Sequence, residues 1–243
     1  MPMPDLVTST FVHYLKQNPY PGRGLVVGVA SDGEAWIMVY WIMGRSAQSR
    51  NRRFVVDGQG LRTEPIAASE VLDPSLIIYE AMLEAPPLYV IGNGAQVRTL
   101  YDRLRAGGSF DSALAEWERE PDAPHYTPRI SAVLDLQQAP GHLTLSVLKA
   151  NPVNPVYTDR FTYRPANPPP GLGIGLTTYL GDGSPLPSFT GDPLWLPCAG
   201  TPHEILETYW EALDADNRVA LAVKHIPHRG CAGRLLVRNR VEA

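Results

Sequence analysis

Two cysteines in 243 residues are too few to staple a fold. Cys198 and Cys231 stand alone, with no CxxC pair and no histidine at ligand spacing. The expectation is therefore two unpaired, buried thiols in a reducing compartment, with a disulfide between them as the alternative, and no metal site. No apolar run approaches the roughly 18 residues needed to cross a bilayer. The first residues, MPMPDLVTST, carry neither a basic segment nor an apolar one of the secretory kind, so the expected location is the cytoplasm. Positive charge is not in excess: 21 Lys and Arg face 25 Asp and Glu, a net charge of -4. That argues against a chain-wide attraction to nucleic acid, though not against a local basic patch. Catalytic signatures are missing too. There is no Walker A loop, HExxH or GxSxG. GLGIG at 171–175 lacks dinucleotide spacing and follows a proline run, and His225 and His228 flank Pro227 in what reads as a turn.

What the chain has in quantity is proline and glycine, 24 and 21, clustered at 121–128, 151–155, 165–175 and 181–197. Proline fixes φ and supplies no amide donor, so these clusters read as rigid connections between elements. Between them, residues 24–30 and 34–43 are apolar and rich in β-branched and aromatic types, split by the hairpin signal Ser31-Asp32-Gly33. Their near-continuous hydrophobicity predicts a sheet covered on both faces, with 54–56 continuing as a third strand. Asp73 as N-cap, Pro74, and then Leu76, Ile77, Met82 and Leu83 predict a helix. PLYVIGNG predicts a buried strand; 97–104 and 111–120 predict helices. Strands follow at 130–136, 142–149, 156–163 and 173–179. Thr201, Pro202 and Glu204 form a capping box that opens a last helix, and 218–226 reads as a final strand. Blocks of strands separated by blocks of helices predict an α+β fold with antiparallel sheets. We expect a single domain over 19–226, an N-terminal extension over 1–18 and a C-terminal tail over 227–243.

One stretch stands out, IMGRSAQSRNRRF at 42–54. Four arginines, two serines, a glutamine and an asparagine follow a continuous apolar run. Arginine offers a planar fork of donors suited to phosphate or carboxylate. A solvated basic loop fits the same residues equally well. Similar polar punctuation occurs at YPGRG (20–24), at IGNGAQ (91–96), where a strand meets a helix whose free amides favour an anion, and at YTPRI (126–130). Each taken singly is ordinary turn chemistry. Four of them at the ends of neighbouring strands point to a shared cleft.

These segments, with DPSLIIYEA at 73–81, VIGNGAQVRTL at 90–100, YTPRISAVL at 126–134 and, more weakly, TTYLGDG at 177–183, resemble in content and order the archaeal-type inosine monophosphate cyclohydrolase family. The resemblance implies a four-layer αββα sandwich of two antiparallel sheets, N-terminal-nucleophile-hydrolase-like. Removal of Met1 would expose Pro2, so terminal-nucleophile chemistry is not expected. It further implies closure of 5-formamidoimidazole-4-carboxamide ribonucleotide (FAICAR) to inosine monophosphate (IMP) with loss of water, the last step of purine synthesis. The implied partner is a small-molecule purine ribonucleotide, without nucleic acid, membrane or cofactor; homo-oligomerisation is left open. Carried over residue by residue, the resemblance makes Arg45, Ser46, Asn51 and Arg52 nucleotide-holding groups, beside Tyr20 and Arg23. Asn93 and Gly94 would contact substrate, Tyr126, Thr127 and Arg129 would complete a wall, and Tyr79 and Glu118 would transfer or orient protons. A lone helical glutamate is as readily a solvated surface charge. The segment 119–125 is longer and more proline-rich than the resemblance suggests, and 165–197 is expanded. A non-catalytic purine-nucleotide-binding protein on the same scaffold is the alternative; an amide hydrolase is disfavoured, because no Ser or Cys sits next to an evident base.

Overall fold

The computed structural model describes residues 4–70, 77–137, 141–228 and 233–241. A helix α1 (Asp5–Phe11) runs on into a π-helical turn (Val12–Lys16) and leads to the hairpin β1 (Gly24–Val29) and β2 (Ala35–Met43). A short helix α2 (Ala47–Arg50) precedes four strands: β3 (Arg53–Asp57), β4 (Gly60–Glu64), β5 (Glu80–Ala85) and β6 (Leu88–Gly92). Helices α3 (Gln96–Arg105) and α4 (Phe110–Leu114) come next, then β7 (Arg129–Asp135), β8 (His142–Ala150), β9 (Thr158–Tyr163), β10 (Leu172–Thr177) and β11 (Leu194–Pro197). Helix α5 (Pro202–Ala212), β12 (Arg218–Pro227) and β13 (Arg234–Asn239) complete the order.

The strands form two antiparallel sheets. One has the order β11-β10-β1-β2-β12-β13, the other β3-β4-β5-β6-β7-β8-β9. They meet through β1 and β7 and through β2 and β6; α1 packs on β11, α5 on β12 and β13, and α3 on β5 and β6. The alternation within β6 explains its unbroken apolar run. Tyr89 and Ile91 point into the core between the sheets, while Leu88 and Val90 join Val97, Leu100, Phe110 and Leu114 under the helices. A strand buried on both faces has no polar side to show. Among the described residues no helix is long and apolar enough to cross a membrane.

The hairpin β1–β2 forms as expected, with Gly33 at φ 75 and its amide donating to the Ala30 carbonyl at 2.9 Å. The capping box at Thr201 and Glu204 opens α5. Three expectations need correction. Strand 54–56 exists as part of β3, but in the second sheet, not beside β2. The helix expected from Asp73 lies partly in 71–76, outside the described residues; 77–79 are not helical, and Met82 and Leu83 stand in β5. Met82 and Leu83 pair there with Ile91 and Val90, so the ladder to β6 overrides the helical spacing. The helix expected over 111–120 stops at Leu114. Beyond it the Trp117 carbonyl accepts from Arg160 Nη2 at 2.8 Å and the Glu118 carbonyl from Arg129 Nε at 2.9 Å, replacing helical partners. The tail supplies β13, which extends the first sheet beside β12.

A buried ion pair ties the sheets together. Lys224 on β12 meets Glu84 on β5, with side chains 1% and 3% exposed, and Glu84 also accepts from the Gly233 amide. Burial pulls the Lys224 ammonium below its ordinary range, and Glu84 opposes that shift. Removing one member strands the other charge in the interior, so Lys224→Met should destabilise the protein by about 3–5 kcal/mol in urea unfolding. Lys224→Met combined with Glu84→Gln should recover most of that loss; a double variant no better than the single one would show that the pair is not the cause.

Candidate active site

A cleft of about 400 Å³ opens where the entry to β1, the exit of β2, the entry to β7 and the segment after β10 come together. That volume suits a small ligand. Tyr20 forms part of its wall, stacked on Tyr179 with ring centroids 6.0 Å apart. The Arg45 guanidinium lies 5.0 Å from the Tyr20 ring centroid on a cation–π contact. Burial raises the Tyr20 phenol above its ordinary value, opposed by Arg52, Arg23 and Arg45.

The arginine-rich segment is a built loop rather than a loose one. Ser46 caps α2, with Ser46 and Ser49 bonded reciprocally in a capping box. A Cβ on Gly44 would lie 2.6 Å from the Ser49 carbonyl, so the loop closes only over glycine there. Arg52 is buried and props the loop from inside, Nε donating to the Ser49 carbonyl at 2.9 Å and Nη2 to the Met43 carbonyl at 3.1 Å. Arg45 bonds Asp182 and the Gly183 carbonyl. Of the four arginines, Arg45 and Arg52 line the cleft. Arg50 turns to Gly44 and Asn217, and Arg53 pairs with Glu64.

At the bottom of the cleft Arg23 and Glu120 form a bidentate pair at 2.9 and 2.7 Å, with side chains 9% and 3% exposed. Arg23 also donates to the Asn93 carbonyl at 3.3 Å. Burial pushes the Glu120 carboxyl up, with Arg23 and then Arg129 pulling it back. Burial opposes the Arg23 charge, but Glu120 holds the guanidinium protonated well above its ordinary value. Arg129 stands behind them, 3.7 Å from Glu120, and its guanidinium is lowered by burial.

One wall belongs to residues 120–127. Asp122 accepts from the Thr127 amide at 2.7 Å and from its hydroxyl, and Thr127 Oγ1 is also 2.5 Å from the Tyr179 hydroxyl. His125 lines the cleft, and its Nδ1 accepts from the Leu186 amide at 3.2 Å. An amide can only donate, so the neutral imidazole carries its proton on Nε2.

The structure brings Tyr20, Arg23, Arg45, Ser46, Arg52 and Thr127 to the cleft lining, and leaves the other expected site residues off it. Asn51 and Asn93 are scaffold. Asn51 clamps both backbone groups of Ala67, and Asn93 bonds the Pro128 carbonyl and the Ile130 amide. Gly94 makes room for Arg129, whose Nη1 would lie 2.4 Å from a Cβ there. Arg129 bonds Gln96 and the Glu118 carbonyl, and Tyr126 lies against Arg119, with a φ of 43. Tyr79 is buried with its hydroxyl 2.8 Å from that of Tyr40. Glu118 is the clearest correction. It lies beyond the end of α4, its side chain is 60% exposed, and it pairs with Arg119. Glu120, two residues on, is the buried acid. Glu120, Asp122, His125 and Tyr179 are not among the residues expected from sequence; two acids shortly before a histidine in EPDAPH (120–125) were the available signal. Among the described residues no three His, Cys, Asp or Glu side chains are placed to hold a metal ion. Cys198 is a free, buried thiol, raised to about 12 by burial, and Cys231 lies outside the described residues.

Comparison with known proteins gives two findings. The family profile described as IMP cyclohydrolase-like protein matches residues 20–230. An IMP cyclohydrolase of Methanothrix thermoacetophila is 30% identical over 124 residues, which cover 49% of this chain and 60% of that relative. The chain thus aligns with less than two thirds of the relative's length.

The two glutamates separate in stability. Glu120→Gln leaves Arg23 buried without its counter-charge and should cost about 3 kcal/mol. That corresponds to roughly 6–12 °C in Tm for a chain of this size. Glu118→Gln should stay within about 0.5 kcal/mol of the wild type. Equal thermal shifts for the two would contradict the assignment of the buried acid.

Proposed function

The chain belongs to the IMP cyclohydrolase-like family, and we propose that it catalyses the closure of FAICAR to IMP with loss of water, the last step of purine synthesis. The observation that carries this reading is convergence. Segments 20–24, 44–52, 126–134 and 177–183, far apart in the chain, contribute to one cleft. We read the two sheets with helices on their outer faces as the four-layer, N-terminal-nucleophile-hydrolase-like sandwich, and the setting as cytoplasmic.

In this reading the 5′-phosphate meets Arg45 and Arg52, the cationic end of the cleft, with Gln48 and Ser49 beside them. Arg45 offers a planar donor fork and is 32% exposed, so an incoming anion can compete with Asp182 for it. The imidazole ring with its two substituents occupies the end nearer Arg23, Glu120, Thr127 and Tyr179. The reaction joins two groups already on one ring. Holding the carboxamide nitrogen against the formyl carbon therefore removes much of the barrier. The formyl oxygen gains negative charge as the ring closes, and the Nε2–H of His125 is a donor suited to it. No redox change occurs.

Purified protein incubated with FAICAR should produce IMP faster than the buffer blank. Binding without turnover would leave a nucleotide-binding protein on the same scaffold as the reading. Arg45→Ala should weaken nucleotide affinity by about 1.5–3 kcal/mol, the worth of a charge-assisted hydrogen bond. An unchanged Kd in a folded variant would move the phosphate elsewhere.

A further inference from the structure

We propose that Tyr179, Thr127 and Asp122 form a proton relay, with the Tyr179 oxygen accepting the proton that the substrate's nitrogen loses on ring closure; this deepens the cyclohydrolase reading and rests on it. The direction of the relay follows from counting protons. A carboxylate has none to give, and Asp122 accepts from both the amide and the hydroxyl of Thr127. A threonine hydroxyl has one proton, and that proton is committed to Asp122. The contact of 2.5 Å between Thr127 Oγ1 and the Tyr179 hydroxyl must then be donated by Tyr179. With its own proton turned away, Tyr179 presents lone pairs to the cleft it lines. Its ring is held by the stack on Tyr20, and its backbone by the bond from its amide to the Pro21 carbonyl.

Arg23 and Glu120 are bonded to each other, and His125 faces Leu186 with Nδ1, which leaves it a donor. Burial raises the Tyr179 phenol far above its ordinary value, which keeps it a neutral hydroxyl. A neutral phenol is a poor base alone. Linked through Thr127 to a carboxylate it can accept a proton while passing its own along.

The step balances. The carboxamide nitrogen forms a bond to the formyl carbon, and the carbonyl π pair moves to oxygen. The nitrogen's proton goes to Tyr179 Oη, the phenol proton to Thr127 Oγ1 and the threonine proton to Asp122 Oδ2. The chain then runs backward and protonates the new alkoxide, giving the carbinolamine with the relay restored. In dehydration the formamido nitrogen gives its proton to the relay as the C=N bond forms. The hydroxyl leaves and recovers that proton as water.

Thr127 and Asp122 are positioning residues in this scheme, and Tyr179 touches the reacting atoms. Steady-state kinetics on FAICAR with wild type, Tyr179→Phe, Thr127→Val and Thr127→Ser tests it. The Phe and Val variants should lose about 10²- to 10³-fold in kcat with KM within about threefold of wild type. Thr127→Ser, which restores the hydroxyl, should recover most of the rate. Circular dichroism and product binding check that each variant is folded. A Thr127→Val enzyme as fast as wild type, or a Thr127→Ser enzyme as slow as Thr127→Val, overturns the relay while leaving the cyclohydrolase reading intact. A wild type without turnover removes that reading, and the relay with it.

Discussion

The cleft depends on one buried charge pair. Arg23 stands at the entry of β1 in the first sheet; Glu120 belongs to the segment that leads into β7 of the second. Taking two charges out of water costs several kcal/mol per ion, and only good geometry with further hydrogen bonds offsets it. Both conditions are met. The contact is bidentate, the Asn93 carbonyl accepts from Arg23, and Thr178 Oγ1 accepts from the Arg23 amide at 3.0 Å. The approach to Thr178 is close enough to dictate the preceding residue. A Cβ on Gly22 would fall 2.2 Å from Thr178 Oγ1, and its φ of 73 is one that glycine adopts without strain. The glycine in YPGRG thus serves the ion pair beside it.

This pair also sets the polarity of the cleft. Arg23 has its charge met by Glu120, so the excess of positive potential lies toward Arg45 and Arg52. Arg52 keeps Nε and Nη2 on backbone carbonyls, which neutralise no charge. Arg45 shares its charge with an exposed Asp182 across a partly solvated contact, which screens it and leaves it exchangeable. The cleft therefore has a cationic end and a charge-balanced end. Such a gradient orients a molecule that carries an anion at one extremity and a neutral heterocycle at the other.

Legibility from sequence followed locality. The β1–β2 hairpin and the start of α5 are specified by neighbours in the chain: a turn with glycine in one, a capping box with proline in the other. Strand β5 was not legible, because its ladders with β4 and β6 decide against a helix that its apolar spacing allows equally well. The end of α4 was hidden for a related reason: Arg160 and Arg129, distant in sequence, claim the Trp117 and Glu118 carbonyls. That early stop leaves the Glu118 side chain exposed and turns Glu120 inward. The site was legible in its segments more than in its atoms. Asn51 and Asn93 sit where a ligand-binding side chain could, yet their amides are used up on backbone groups. No sequence reading counts which donors are already satisfied.

The two buried ion pairs together explain how loops from different sheets can make one cleft of fixed width. Apolar contact between the sheets is non-directional, so by itself it resists separation better than sliding. Charge pairs add position. Lys224 lies level with Met38 in the first sheet, whereas Arg23 precedes Gly24, which is level with Trp41. The two pins are thus offset by about 14 Å along the strands at about 3.4 Å per residue, on different strands. One pin would allow the sheets to pivot; two so placed oppose both rotation and slip. The walls they hold apart come one from each sheet, with Tyr20, Arg45 and Tyr179 on the first and Asp122, His125 and Thr127 leading into the second. A hydrogen-bond chain that crosses from Tyr179 to Thr127 requires that spacing to hold within a few tenths of an ångström, since hydrogen bonds weaken steeply with misplacement. The buried charges are far from neutral in desolvation, and the geometry of the crossing is what their burial secures.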